Sequence, residues 1–144
     1  LGRHAVDLDA SCVLLDADGR VVDAAWWRNL RPHRAGVRHL GDNLTGHGEG
    51  DDESILVRLG DVPARAAALV FTITSFTGQT FRNVRNAFCR VVDQGSGREL
   101  ARYDLGAQGA FTGLLVARIE REGSGWRVVA VGEPGNGATW HDLV

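Results

Sequence analysis

The chain has 144 residues, 44% hydrophobic and 24% charged, a length that suits one domain burying its own core. No apolar run approaches the roughly 20 residues of a membrane-spanning helix, which excludes a helical span and leaves peripheral membrane association open. The formal net charge is −2 and all 16 basic residues are Arg, which excludes a broad basic field for nucleic acid and every lysine-dependent P-loop, Schiff-base or kinase chemistry.

The elements read mostly as strands. Asp7-Leu8-Asp9 opens the first, with Ala10 to Leu14 continuing it. Residues two apart in a strand share a face, so Asp7 and Asp9 point one way while Leu8, Ala10, Cys12 and Leu14 point the other. Asp16-Ala17-Asp18-Gly19 then turns the chain back into Val21-Val22 as a hairpin. Trp26 and Trp27 read as core or edge cover. Leu69 to Phe76 is β-branched and aromatic, and Ala87 to Val92, Leu114 to Ile119 and Trp126 to Val131 have the same character. Asp93 to Gly97 and Glu122 to Gly125 supply the turns between them. Gln79 to Arg85 has room for one short helix. Short strands with turns this closely spaced predict an all-β, two-sheet β-sandwich with at most one or two short helices. Cys12 and Cys89 lie far apart in apolar runs and read as reduced, buried thiols, which places the chain in the cytoplasm.

One segment differs from the rest. Gly41 to Glu53 carries five carboxylates (Asp42, Glu49, Asp51, Asp52, Glu53), four glycines and no Arg. Outside it, the remaining 13 of the 18 acids stand against 16 arginines, so the negative charge is concentrated in this loop. Carboxylates this close repel one another unless a cation sits among them. Calcium accepts six to eight oxygens from carboxylates, amides, main-chain carbonyls and water. The loop offers those types, while His47 alone is too little for zinc or copper. The residues by themselves leave two readings open, a solvated acidic loop or a calcium site that Asp7 and Asp9 complete. An EF-hand is excluded, because the Asp16 to Gly19 stretch lacks both its first and its last ligand.

Several stretches in order resemble the TerD domain family of bacterial tellurium-resistance and stress-response proteins. They are Asp7-Leu8-Asp9-Ala10-Ser11, His39 to Gly46, Gly50-Asp51-Asp52-Glu53, Asn86 to Val92, Glu99 to Leu105, Trp126 and Ala130-Val131-Gly132. The resemblance spans nearly the whole of residues 1–144 as a single domain. It implies a β-sandwich with calcium-binding loops at one edge, usually holding two calcium ions. Carried over residue by residue, the ligands are Asp7, Asp9, Asp42, Asn43, Asp51, Asp52 and Glu53, with main-chain oxygens near Thr45 and Gly48. The chain has no Met, and Leu1-Gly2-Arg3 looks like the remnant of a longer family N-terminus. The expectation is a domain lacking its N-terminal strand or strands, with an open sheet edge or one that another chain covers. The family's acidic-aromatic segment is replaced here by Asp23 to Asn29.

The leading expectation is a non-catalytic calcium-binding module that acts through protein partners in a stress-response complex. The alternatives are an interaction scaffold with purely structural calcium, a metal-dependent hydrolase, and direct binding of tellurium oxyanions. No His-Glu-x-x-His or Gly-x-Ser-x-Gly motif supports a hydrolase, and the five histidines show no ligand spacing. The acidic loop would repel an oxyanion. Arg82, Arg85 and Arg90 lie close in sequence and read as a solvated strand surface or an anion patch.

Overall fold

The computed structural model describes residues 8–26, 29, 36–42, 53–75, 88–93, 95–104, 111–136 and 140–144. Within them run nine strands: β1 Leu8–Leu15, β2 Val21–Ala25, β3 Val37–Asp42, β4 Glu53–Val57, β5 Ala68–Ser75, β6 Phe88–Asp93, β7 Arg98–Asp104, β8 Gly113–Glu122 and β9 Gly125–Gly135. The expected strands all form, and β9 runs on past Val131. Among the described residues the helical turns, Leu59–Asp61 and Trp140–Asp142, are single 3-10 turns. The segment read as a short helix, Gln79 to Arg85, lies outside the described residues.

Five strands make one antiparallel sheet in the order β2-β1-β5-β8-β9, with β5 at its centre. The local reasons for the hairpins are visible. Asp16 Oδ1 accepts hydrogen bonds from the backbone N–H of Asp18 and of Arg20, both at 2.9 Å. This side-chain turn and the left-handed Gly19 reverse β1 into β2, as the Asp-Ala-Asp-Gly sequence predicts. Asp93 repeats the device between β6 and β7, with its carboxylate accepting from Gly95 N and Ser96 Oγ.

Two separate hairpins, β3–β4 and β6–β7, lie against one face of this sheet. Cys12, Leu14, Leu69 and Ile119 of the sheet pack with Val37, Ile55 and Val57 of the first hairpin. Leu114, Val116 and Ala117 pack with Cys89, Val91 and Tyr103 of the second. Phe71 touches both clusters, so the two hairpins share a face and form the second layer of the sandwich. The opposite face carries Val13, Leu15 and Val70, covered by Trp140 of the C-terminal turn with Trp26 beside it. Trp26 meets Trp140 edge to face at 5.9 Å, an arrangement that aromatic quadrupoles favour. Trp26 thus serves as cover for the core, and Trp27 lies outside the described residues.

Arg121 ties the long β4–β5 connection to the sheet. Its guanidinium donates to the carbonyls of Ala66 (2.7 Å), Pro63 (2.9 Å) and Val62 (3.3 Å) while lying 4.2 Å from the Trp126 ring. The planar, permanently charged fork suits three carbonyls at once, which a lysine ammonium on a single point could not match.

Candidate metal centre

The acidic segment is the connection of the β3–β4 hairpin. Val37 pairs with Val57, Arg38 with Leu56 and His39 with Ile55; the register then shifts, and Asp42 faces Glu53 at the far end. The base of the hairpin is closed by Gly36, whose carbonyl accepts from Arg58 N at 2.7 Å. The sequence explains this pairing: Val37 and the Ile55-Leu56-Val57 run are strand formers. The hairpin is held over the sheet because Ile55 and Val57 bury against the Cys12–Leu14 cluster, which brings β4 against β1.

Two carboxylate residues thus occupy directly opposed positions at the mouth of the loop. Like charges directly opposite each other destabilise a β pair, and a cation between or beyond them reverses the sign. A third acidic residue of the expected set, Asp9, sits on β1 opposite Thr74 of β5. It is only 7% exposed. An ionised carboxylate at that depth must be paired, hydrogen-bonded or bound to a cation. Its face is the one the alternation predicts: Asp9 shares it with Ser11, Val13 and Leu15, while Cys12 and Leu14 bury on the other side.

The other expected ligands, Asp7, Asn43, Thr45, Gly48, Asp51 and Asp52, lie outside the described residues, as does Glu49. Among the described residues no group of three or more His, Cys, Asp or Glu side chains converges as a metal site. The structure therefore brings Asp42 and Glu53 into register but buries Asp9 on the opposite face of the sheet from the one this hairpin covers, so the described residues do not bring Asp9 together with that pair.

The thiols have a different character. Cys12 and Cys89 are both free. Burial holds the Cys12 thiol far above its ordinary value and pushes Cys89 up to about 11, so at neutral pH both are protonated and poor nucleophiles. Arg90 is exposed on β6, and Arg82 and Arg85 lie outside the described residues.

The model of the TerD domain matches residues 2–143. The chain belongs to the TerD domain family. Among its TerD relatives, tellurium resistance protein TerZ of Serratia marcescens is 48% identical over 142 residues, covering 99% of this chain and 73% of that protein. Stress response protein SCP2 of Bacillus subtilis is 40% identical, covering 99% of this chain and 75% of its own length. The crystal structure of a homologue of the telluride resistance protein TerD, from Streptomyces coelicolor, superposes with a TM-score of 0.81 at 22% identity, over 92% of this chain and 80% of that one. That likeness establishes a TerD fold for the strands described above.

Two threonines beside the expected TerD ligand Asp9 were not foreseen. Thr72 and Thr74 are both fully buried on the face that Asp9 occupies. Their sequence signal is weak, because threonine is a good strand former in any strand. Only the position of β5 at the centre of the sheet makes that polarity unusual.

Proposed function

We propose that this chain is a non-catalytic, calcium-binding β-sandwich module of a bacterial tellurium-resistance and stress-response system, acting in the cytoplasm through protein partners. The observation that carries the reading is the opposed pair Asp42 and Glu53, at the two ends of a loop holding three more carboxylates. Asp9, the further carboxylate that the family resemblance adds, is buried on the face of the adjoining sheet turned away from this hairpin. Oxygen donors in this number suit a hard cation. Asp7, Asp9, Asp42, Asn43, Asp51, Asp52 and Glu53 would hold it, with main-chain oxygens near Thr45 and Gly48. Two ions would spread this charge better than one. The names of the relatives, tellurium resistance and stress response, support the cellular context. The protonated state of both thiols supports a role without thiol chemistry on tellurium.

Calorimetric titration of calcium into the chelator-stripped chain tests the reading. Saturable heat, a melting temperature that rises with calcium, and poor displacement by equimolar magnesium are the expected results. Magnesium demands near-octahedral geometry at about 2.0 to 2.1 Å, which would draw these like charges closer together. A native state held this way gains RT ln(1 + [L]/Kd), about 2.7 kcal/mol at a hundredfold excess over Kd. Flat heats and unchanged melting with calcium or chelator would overturn it.

A further inference from the structure

β9 is an edge strand: β8 pairs with one side of it, and among the described residues no strand pairs with the other. Which of its backbone groups face outward follows from the β8–β9 hairpin. Glu122 and Gly125 close a two-residue turn whose Gly123 has φ of +58°. The pair closing such a turn exchanges both backbone hydrogen bonds, and bonded and non-bonded pairs then alternate up the ladder. Glu120–Arg127 and Arg118–Val129 are therefore bonded pairs, and the N–H and C=O groups of Trp126, Val128 and Ala130 point away from β8. The Arg121 N–H agrees, since it turns away from Trp126 and donates to Ala67 O on the other side at 3.1 Å.

The two halves of this edge differ. From Val131 onward it is closed to pairing. The register breaks between Ala130 and Glu133, Gly132 is left-handed with the Tyr103 ring of β7 against it, and Pro134 has no N–H to offer. From Trp126 to Ala130 none of these guards is present. Val128 is 37% exposed, and Arg127 and Ala130 are exposed beside it. The charged residue of this stretch, Arg127, is drawn back over β8 by Glu120 at 3.0 Å and Glu122 at 3.5 Å. Its charge is balanced there rather than standing over the edge.

These five residues are their own complement. In an antiparallel pair about a two-fold axis at Val128, Trp126 meets Ala130 of the partner subunit, Arg127 meets Val129 of the partner subunit, and Val128 meets Val128 of the partner subunit. Every outward-facing residue then meets an outward-facing one, as bonded pairs require. Moving the axis back to Arg127 would set two guanidinium groups directly opposite each other, which destabilises a β pair. Moving it forward to Val129 would set Trp126 against Gly132 of the partner subunit, where the strand is already broken. We propose that the Trp126–Ala130 edge of β9 is an interaction surface for a second copy of this chain, joined antiparallel about Val128 so that the two five-stranded sheets run on as one. The interface is isologous and closes at two copies. Five residues a side bury less than the roughly 1,200 Å² at which standard stable interfaces begin, so the dimer is weak and forms at high concentration. It does not depend on the calcium reading.

Sedimentation equilibrium in chelator, from about 10 µM to about 1 mM chain, should show the average mass rising from one chain towards two and no further. Val128→Lys, which sets like charges across the axis, should weaken association at least about tenfold. Val21→Lys, at an exposed valine on the other edge strand, β2, should leave it unchanged. Amide hydrogen exchange reads the register without any variant, and decides the matter if Val128→Lys does not fold. Raising the concentration should slow Trp126, Val128 and Ala130, and leave Arg127 and Val129, already bonded to β8, as they were. A parent chain that stays single at about 1 mM would overturn the proposal. So would mass growing past two copies, a Val128→Lys variant that associates like the parent, or slowing on β2 in place of β9.

Discussion

Gly36 is the residue on which the geometry of the acidic hairpin turns. It closes the base of β3–β4 with φ of +70°, and a Cβ built there would lie 2.8 Å from Arg58 O, Asp61 C and Val62 N, all backbone atoms. Ordinary carbon contacts lie at about 3.5 to 4.0 Å, so Gly36→Ala forces the turn Leu59–Asp61 away from β3. Two costs add. A left-handed alanine costs about 1 to 2 kcal/mol, and overpacking against backbone that no rotamer change relieves costs about 1 to 3 kcal/mol more. The expected loss is about 3 kcal/mol, or about 10 °C in melting temperature for a domain of this size. Gly19→Ala is the internal control. Its φ is +78°, but nothing lies within 4 Å of its Cβ position. It should lose only the conformational part, about 1 kcal/mol and about 3 °C. Urea and thermal melts are run in chelator, so that metal binding does not mask the difference. If the two variants melt together, the close approach of Gly36 to the 58–62 segment is not what holds the hairpin base.

The remaining expectations are these. Asp52→Ala, within the loop, should weaken calcium binding at least about tenfold through lost charge and a lost ligand, while Asp104→Ala on exposed β7 should change it by less than about twofold; equal losses in calorimetry would mean the loop is misread. The hydrogen bond from Arg127, helped by Arg118, holds the Glu120 carboxyl below its usual value. Its contribution is therefore present above the ordinary glutamate pKa and lost as pH falls through the lowered one, and Glu120→Gln should flatten the acid limb of a melting-temperature profile; an unchanged acid limb would refute the pairing. The Cys89 thiol, pushed up to about 11, should alkylate slowly at neutral pH and fast only after denaturation; rapid labelling of the native chain would show that this thiol is open and ionised.

Much of the fold and part of the candidate site are written locally. A strand needs only alternation and β-branched residues, so Leu69 to Phe76 reads as β5 without knowledge of its neighbours. A hairpin needs only its turn chemistry, so Asp16 to Gly19 reads as the β1–β2 reversal before Asp16 Oδ1 is seen to accept from Asp18 and Arg20. The acidic loop is equally local, because charge concentrated within Gly41 to Glu53 repels itself whatever surrounds it. Tertiary structure alone decided which acids meet and which polar groups are buried. Pairing Asp42 with Glu53 depends on the β3–β4 register, which slips after His39 and so cannot be counted from the turn. The burial of Thr72 and Thr74 follows from β5 taking the centre of the sheet between β1 and β8, pairings between strands far apart in the chain. Sequence carries no such information at a single threonine, because its strand propensity is the same on a wet face and a dry one. The same holds for Gly36 among 19 glycines: its constraint comes from Arg58, Asp61 and Val62, which only the folded chain brings within 2.8 Å of its missing side chain.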